Sequence, residues 1–161
     1  MRTLPLLALL ILAACTPQQP WQTQTSAYTP VLMGRNGMKN AIEVMPPRDI
    51  VNSGKIYVYN DWLFVNERFE GIHVINNTDP TNPLPMHFIR IPGNIDVAYK
   101  NGRFYADQAT DLLVLSYDGN TLTELQREAK IFMPLAPPDG LPYNPPTAIP
   151  DSLVIIKWTK E

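Results

Sequence analysis

The chain has 161 residues, 45% of them hydrophobic and 17% charged, a composition that suits one globular domain. Its formal net charge of -2 leaves no basic excess to hold nucleic acid and no acidic run to act as a solvating tail. A single Cys excludes an intramolecular disulfide and any multi-Cys metal site, and 17 Pro against 8 Gly argue for strands, turns and extended segments over long helices.

Residues 1–15 read MRTLPLLALLILAAC. Arg2 gives a short positive start, residues 4–12 form an apolar run, and the small Ala13 and Ala14 precede Cys15. This is the layout of a signal peptide, expected over 1–14. The apolar run is much shorter than the roughly 20 residues that a membrane-spanning helix needs. Leu12-Ala13-Ala14-Cys15 resembles the bacterial lipobox. The resemblance implies cleavage between Ala14 and Cys15, a diacylglyceryl group on the Cys15 sulfur, and acylation of the new amino group. Two or more acyl chains anchor stably where one is marginal. The chain is therefore expected at a membrane surface of the cell envelope, held through Cys15 without spanning. Thr16 stands where many inner-membrane lipoproteins carry Asp, so the resemblance favours the outer membrane.

Residues 15–30 continue as TPQQPWQTQTSAYTP after the Cys, polar and uncharged, and read as a flexible tether. Trp21 and Tyr28 are read as exposed tether aromatics. Residues 31–54 form a lead-in segment. Met38, Ala41, Ile42 and Met45 fall at helical spacing, which predicts a short helix over 35–44. Pro46 and Pro47 stop it, and Gly34 and Gly37 weaken it.

From Lys55 the pattern changes to short β-branched and aromatic runs. Residues 56–59, 63–65, 72–75 and 86–91 are four such runs, separated by Asn60-Asp61, by a polar stretch ending at Gly71, and by the turn-rich NNTDPTNP. They predict a four-stranded antiparallel meander. A shift of 41 residues repeats it. Ile56 maps to Val97, Asn60-Asp61 to Asn101-Gly102, Leu63-Phe64-Val65-Asn66 to Phe104-Tyr105-Ala106-Asp107, and Ile72-His73-Val74 to Leu113-Val114-Leu115. The two copies cover about 55–93 and 94–133. Four strands in about 40 residues is the size of a β-propeller blade.

The stretches LFVNERFEGIHVINNTDPTNP and FYADQATDLLVLSYDG resemble the LVIVD repeats of bacterial surface proteins, which are β-propeller-like. The lead-in RNGMKNAIEVMPPRDIVNSGKIYV looks like what precedes the repeats in a lipoprotein branch of that family. The resemblance implies an all-β fold and supplies no catalytic residues. Two blades cannot close a ring, because propellers typically use four to eight. The open faces leave three outcomes: two sheets packed on each other, several chains completing a ring, or a shortened relative of a longer propeller.

Residues 134–150 are rich in Pro and predict an extended wrap. PxxP spacing there admits a docking peptide as the sharper alternative. LVIIKW, at 153–158, is expected to add to an edge of one repeat sheet, since an exposed strand this apolar would aggregate. The fold class is thus all-β, an incomplete propeller of two four-stranded antiparallel blades with a short N-terminal helix and a Pro-rich C-terminal tail over 134–161.

The chemistry-bearing residues are few. Glu67, Arg68 and Glu70 fall at one hairpin tip, and Asp107 and Asp111 at the equivalent tip of the second copy. Paired carboxylates serve acid/base work or bind calcium, but hairpin tips are commonly acidic because they are solvated. His73 and His87 lie in predicted strands with no spaced partner for a metal. No phosphate loop and no nucleophile motif occurs. The expectation is a non-enzymatic envelope lipoprotein without cofactor or metal, whose repeats present a binding site, with Glu67, Arg68, Asp107 and Asp111 as its candidates. Its partner would be an envelope protein or a glycan. One alternative is a ligand-binding or enzymatic relative with a carboxylate site at the loop tips. Another is a structural protein that forms a homo-oligomer to complete the ring.

Overall fold

The computed structural model describes residues 24–160. The expected signal segment 1–14, the cleavage pair Ala14 and Cys15, and the tether as far as residue 23 lie outside the described residues. The elements run β1 (Tyr28–Gly34), α1 (Arg35–Asn40), β2 (Glu43–Met45), β3 (Ser53–Tyr59), β4 (Trp62–Glu67), β5 (Gly71–Asn76), β6 (Leu84–Arg90), β7 (Val97–Lys100), β8 (Arg103–Gln108), β9 (Asp111–Tyr117), β10 (Leu122–Glu128) and β11 (Leu153–Lys160). All strand pairs are antiparallel and none of the sheets closes on itself. The fold class is all-β.

Each repeat is a meander. The first occupies β3 to β6 and the second β7 to β10, each strand pairing with the next in sequence. Turn chemistry sets the registers. Asn101 and Gly102 both have positive φ (52° and 75°), as a two-residue hairpin of this twist requires. Asn76 accepts bonds from the Thr78 amide and hydroxyl, and Asp79 does the same for Thr81. These side chains hold the long loop after β5 by mimicking backbone turns.

The first sheet has five strands, not the expected four. The helix stops at Asn40, not at 44, and the chain returns as β2, with Val44 opposite Ile89 on the outer edge of β6. The helix has no side-chain cap at its start, so little holds it beyond one turn. A ladder partner at an open sheet edge outweighs the weak helical spacing of Ile42 and Met45, and it also covers that edge.

The two repeat sheets share one core. Phe64, Ile72, Val74, Ile89 and Ile91 of the first meet Val97, Phe104, Ala106, Leu113 and Leu115 of the second. Phe104 sits at the junction, 4.8 Å from the Phe64 ring and 4.7 Å from Tyr99, both edge to face. Such pairs add about 1 kcal/mol each beyond the area they bury.

The termini form a third, two-stranded sheet. LVIIKW does not add to a repeat sheet as expected. It pairs as β11 with β1, from Tyr28 opposite Lys160 to Gly34 opposite Leu153. Residues 28–30 therefore belong to a strand and not to the tether. Tyr28 is half-buried because the tail supplies its neighbours, Leu135, Ile155 and Trp158. The other face of this hairpin packs Val31, Met33, Val154 and Ile156 on Met38 of the helix and Ala109 of the second repeat. The Pro-rich segment wraps without a sheet partner and is fastened by Trp158, whose Nε1 donates to the Leu135 carbonyl at 3.1 Å. The chain meets this wrap at its start, where Ser26 and Ala27 bond Asp139 and Pro142.

Candidate functional site

Both hairpin tips fold back onto the linker between the repeats. Phe69 and Ala109 carry positive φ (69° and 55°) and turn each tip inward. The Phe69 amide donates to the Asn94 carbonyl, and the Ala109 amide to the Gly93 carbonyl. Glu67, Asp107 and Asp111 are consequently not solvated, which corrects the expectation for the carboxylates of these tips. Glu67 is 2% exposed, Asp107 7% and Asp111 1%. Arg68 remains exposed and Glu70 is half-buried.

The three buried carboxylates serve different joints. Glu67 accepts from the amides of Val51 and Asn52 and lies 3.1 Å from His73 Nε2. Burial raises its pKa, but these donors outweigh burial and hold it below the usual carboxylate range. Asp111 accepts from Arg35, Arg127, Thr110 and the Lys130 amide. Burial again opposes and the donors again win, so its pKa is lowered. Asp107 lies at the head of a buried polar chain. Its Oδ1 takes bonds from the amides of Ile95 and Asp96 and from Asn94 Nδ2, and Asn94 Oδ1 in turn accepts from Asn66 Nδ2. Asn94 cannot be reversed without turning its amino group away from Asp107, so the whole chain has one polarity. Burial, with the Asp96 carboxylate adding to it, pushes the Asp107 pKa up to about 6 against these donors.

That shift has a testable consequence. A carboxyl whose folded pKa is raised stabilises the fold below its unfolded pKa, and the contribution is lost as pH rises through the folded value. Between about pH 4 and pH 7 this group alone withdraws about 2 kcal/mol. Asn in its place keeps an acceptor where Oδ1 accepts three bonds and has no proton to lose. Asp107→Asn should therefore gain on the parent by about that much between pH 4 and pH 7, read from urea unfolding at both values. An unchanged difference between the two proteins would show that folding does not raise the Asp107 pKa.

The described residues form two depressions of interest. The first is a cleft of about 610 Å³ between the tip of the first repeat and the β1–β11 hairpin. It gathers Glu67, Arg68 and Glu70 with Arg48, Phe69, Tyr28, Lys157 and Trp158. Glu67 stands at its back, already saturated by donors. Glu70 is paired with Lys157 at 2.7 Å. Arg48 lies over Phe88, its guanidinium carbon 4.1 Å from the ring centre. Among the described residues no salt bridge involves Arg48 or Arg68. The second is an apolar groove of about 380 Å³ on the outer face of the second repeat, lined by Ile95, Tyr105, Phe132, Met133 and Leu135, with Asp107 at its floor.

The structure thus brings Glu67, Arg68 and Glu70 to one cleft, places Asp107 in a separate groove, and assigns Asp111 to neither. It does not join Glu67, Asp107 and Asp111 into one site. His73 pairs with Glu67 in the interior, and His87 Nδ1 lies 2.6 Å from the Tyr117 hydroxyl. Among the described residues no group of three His, Cys, Asp or Glu could hold a metal ion. Arg48 and Asn94 were not legible as site residues. Asn94 had one available signal, because the linker it occupies lies between Asn66 and its 41-residue counterpart Asp107.

No family model, no curated protein and no solved structure matches the chain.

Proposed function

We propose that the chain is a lipid-anchored, non-catalytic binding module of the cell envelope, and that it holds an anionic ligand in the cleft beside the first repeat. The observation that carries this reading is that Arg48 and Arg68 both line one cleft, neither with a salt-bridge partner among the described residues, while the cleft's own carboxylates are already engaged. Guanidiniums held near aromatic rings favour planar anions such as carboxylates and phosphates. The lipobox ending at Cys15 supports the anchor, and the 41-residue repeat supports reading the two meanders as propeller-like blades of an LVIVD-type protein. The buried carboxylates hold backbone amides and cations, which leaves none of them at a shared reaction centre.

Titration with oligogalacturonate, with a neutral maltooligosaccharide as control, tests the cleft. Each charge-assisted contact is worth about 1.5–3 kcal/mol, so Arg48→Gln and Arg68→Gln should each weaken binding about tenfold or more. Equal affinity in the double variant, or equal affinity for the neutral sugar, sinks the reading. For the anchor, a Cys15→Ser chain that still takes up labelled palmitate would refute it.

A second reading rests on the outer strand β3, which leaves Ile56 and Val58 exposed (64% and 62%) on a sheet edge. Copies paired there would continue one sheet into the next, and light scattering would find a discrete oligomer in place of a monomer.

A further inference from the structure

An exposed apolar surface lies outside the cleft. Ile131, Phe132 and Met133 are three consecutive apolar residues, all exposed, Met133 to 85%. Their loop is not loose, because the Phe132 amide donates to the Thr110 carbonyl at 2.9 Å. Ile95 and Tyr105, each 39% exposed, continue the patch along the outer face of the second repeat. A run of exposed apolar residues on a fixed loop marks an interaction surface and not a packing accident.

Charge follows the patch. Strand residues two apart share a face, so Arg103 lies on the side of Tyr105, about 7 Å further along β8. Lys100 stands opposite Arg103 in the register, as Ala98 does opposite Tyr105. Among the described residues neither cation enters a salt bridge. The face is therefore apolar where residues 131–133 cross it at the Thr110 end of the strands and basic at the other end of β8, and Asp96, the half-exposed carboxylate of the groove, is held by Lys55. Laid flat on a bilayer, such a face meets acyl chains at one end and anionic headgroups at the other.

Position selects the occupant. Leu135 lines this groove and also packs in the cluster that holds Tyr28. The apolar tip and the point where the N-terminal segment joins the domain thus lie on opposite sides of one residue. From Cys15 to Ser26, 11 residues span at most about 40 Å. We propose that this face docks on the membrane that carries the anchor, with Ile131, Phe132 and Met133 entering the interface and Lys100 and Arg103 meeting anionic headgroups. The proposal rests on the reading of Cys15 as a lipid anchor.

The test exploits the single Cys. Acylated Cys15 offers no free thiol, so Met133→Cys and, as control, Asn82→Cys in the long loop each accept one polarity-sensitive fluorophore in the full lipidated chain. The chains are placed in phosphatidylcholine vesicles with about 30 mol% phosphatidylglycerol and a headgroup-proximal nitroxide quencher. Expected is a blue shift and quenching at 133 and neither at 82. Adding Ile131→Glu and Phe132→Glu should abolish both signals at 133 while flotation with the vesicles persists, and Lys100→Gln with Arg103→Gln should reduce them. No signal at 133, equal signals at both positions, or a signal at 133 that survives the Glu substitutions would overturn the docking face. A labelled thiol at Cys15 in the parent chain would overturn the anchor and this proposal with it, a failure distinct from the others.

Discussion

Asp111→Ala should remove about 3–5 kcal/mol of unfolding free energy, the cost of leaving buried charges without their partner. The carboxylate is 1% exposed and joins elements far apart in the chain. Oδ1 accepts from Arg35 at 3.3 Å, from the Thr110 hydroxyl and from the Lys130 amide, and Oδ2 accepts from Arg127 at 3.1 Å. Arg35 also donates to the Asp151 carbonyl, and Arg127 also bonds Gln108, whose amide nitrogen donates to the Met38 carbonyl. One carboxylate thus ties β9 and β10 to the helix and to the strand formed by the C-terminus. Arg127 keeps Glu124 in the variant, which holds the loss near the lower end of that range. Its lowered pKa gives the sign with pH. The stabilisation is complete above the unfolded value of about 4 and is lost as pH falls through the depressed folded value. Denaturant unfolding of parent and variant should therefore differ most at pH 7 and converge toward pH 2. Amide exchange should quicken first in β1 and β11, which this joint holds against the second repeat. A loss under about 1 kcal/mol would place Asp111 with ordinary surface ion pairs.

The strands of the repeats were legible because their causes are local. Val58, Val65, Val74 and Ile89 favour extended backbone, and Asn101-Gly102 names its turn. The 41-residue offset correctly paired Asn60 with Asn101, and both adopt positive φ. What failed was non-local. The pairing of Tyr28 with Lys160 joins the two ends of the described chain and leaves no mark on either short segment. Val44 became a strand because β6 offered an edge, which no spacing within 35–44 encodes. The burial of Glu67, Asp107 and Asp111 arises from the way Phe69 and Ala109 turn the tips onto the linker. Acidic composition at a tip carries the same signature whether the tip points to water or to a neighbouring backbone. The candidates were thus found by residue type, while their separation into a cleft, a groove and a joint came from tertiary packing.

Gly71→Ala should cost at least about 3 kcal/mol, because strain and a backbone clash act together there. Gly71 has φ of +149°, and a Cβ added to it would stand 2.0 Å from the Ile89 carbonyl oxygen and 3.0 Å from the Ile91 nitrogen. Those atoms belong to the adjacent strand and its exit, so no side-chain rotation relieves the contact. β6 would have to move, and β6 holds Phe88 and Ile89 in the interior and β2 on its edge. Gly102→Ala separates the two effects. It also sits at positive φ, +75°, but its Cβ would meet nothing within 4 Å. Left-handed strain alone costs about 1–2 kcal/mol, so the Gly102 variant should lose that and no more. Denaturant midpoints at constant m-value give the comparison, and equal losses at the two positions would remove the clash from the account. The functional consequence follows from position. Gly71 closes the tip that carries Glu67, Arg68 and Glu70, and its carbonyl accepts the Asn66 amide that begins the polar chain to Asp107. A variant that survives folding with the tip displaced should therefore lose anion binding at Arg68 as well as stability, whereas the Gly102 variant, far from that tip, should keep its affinity.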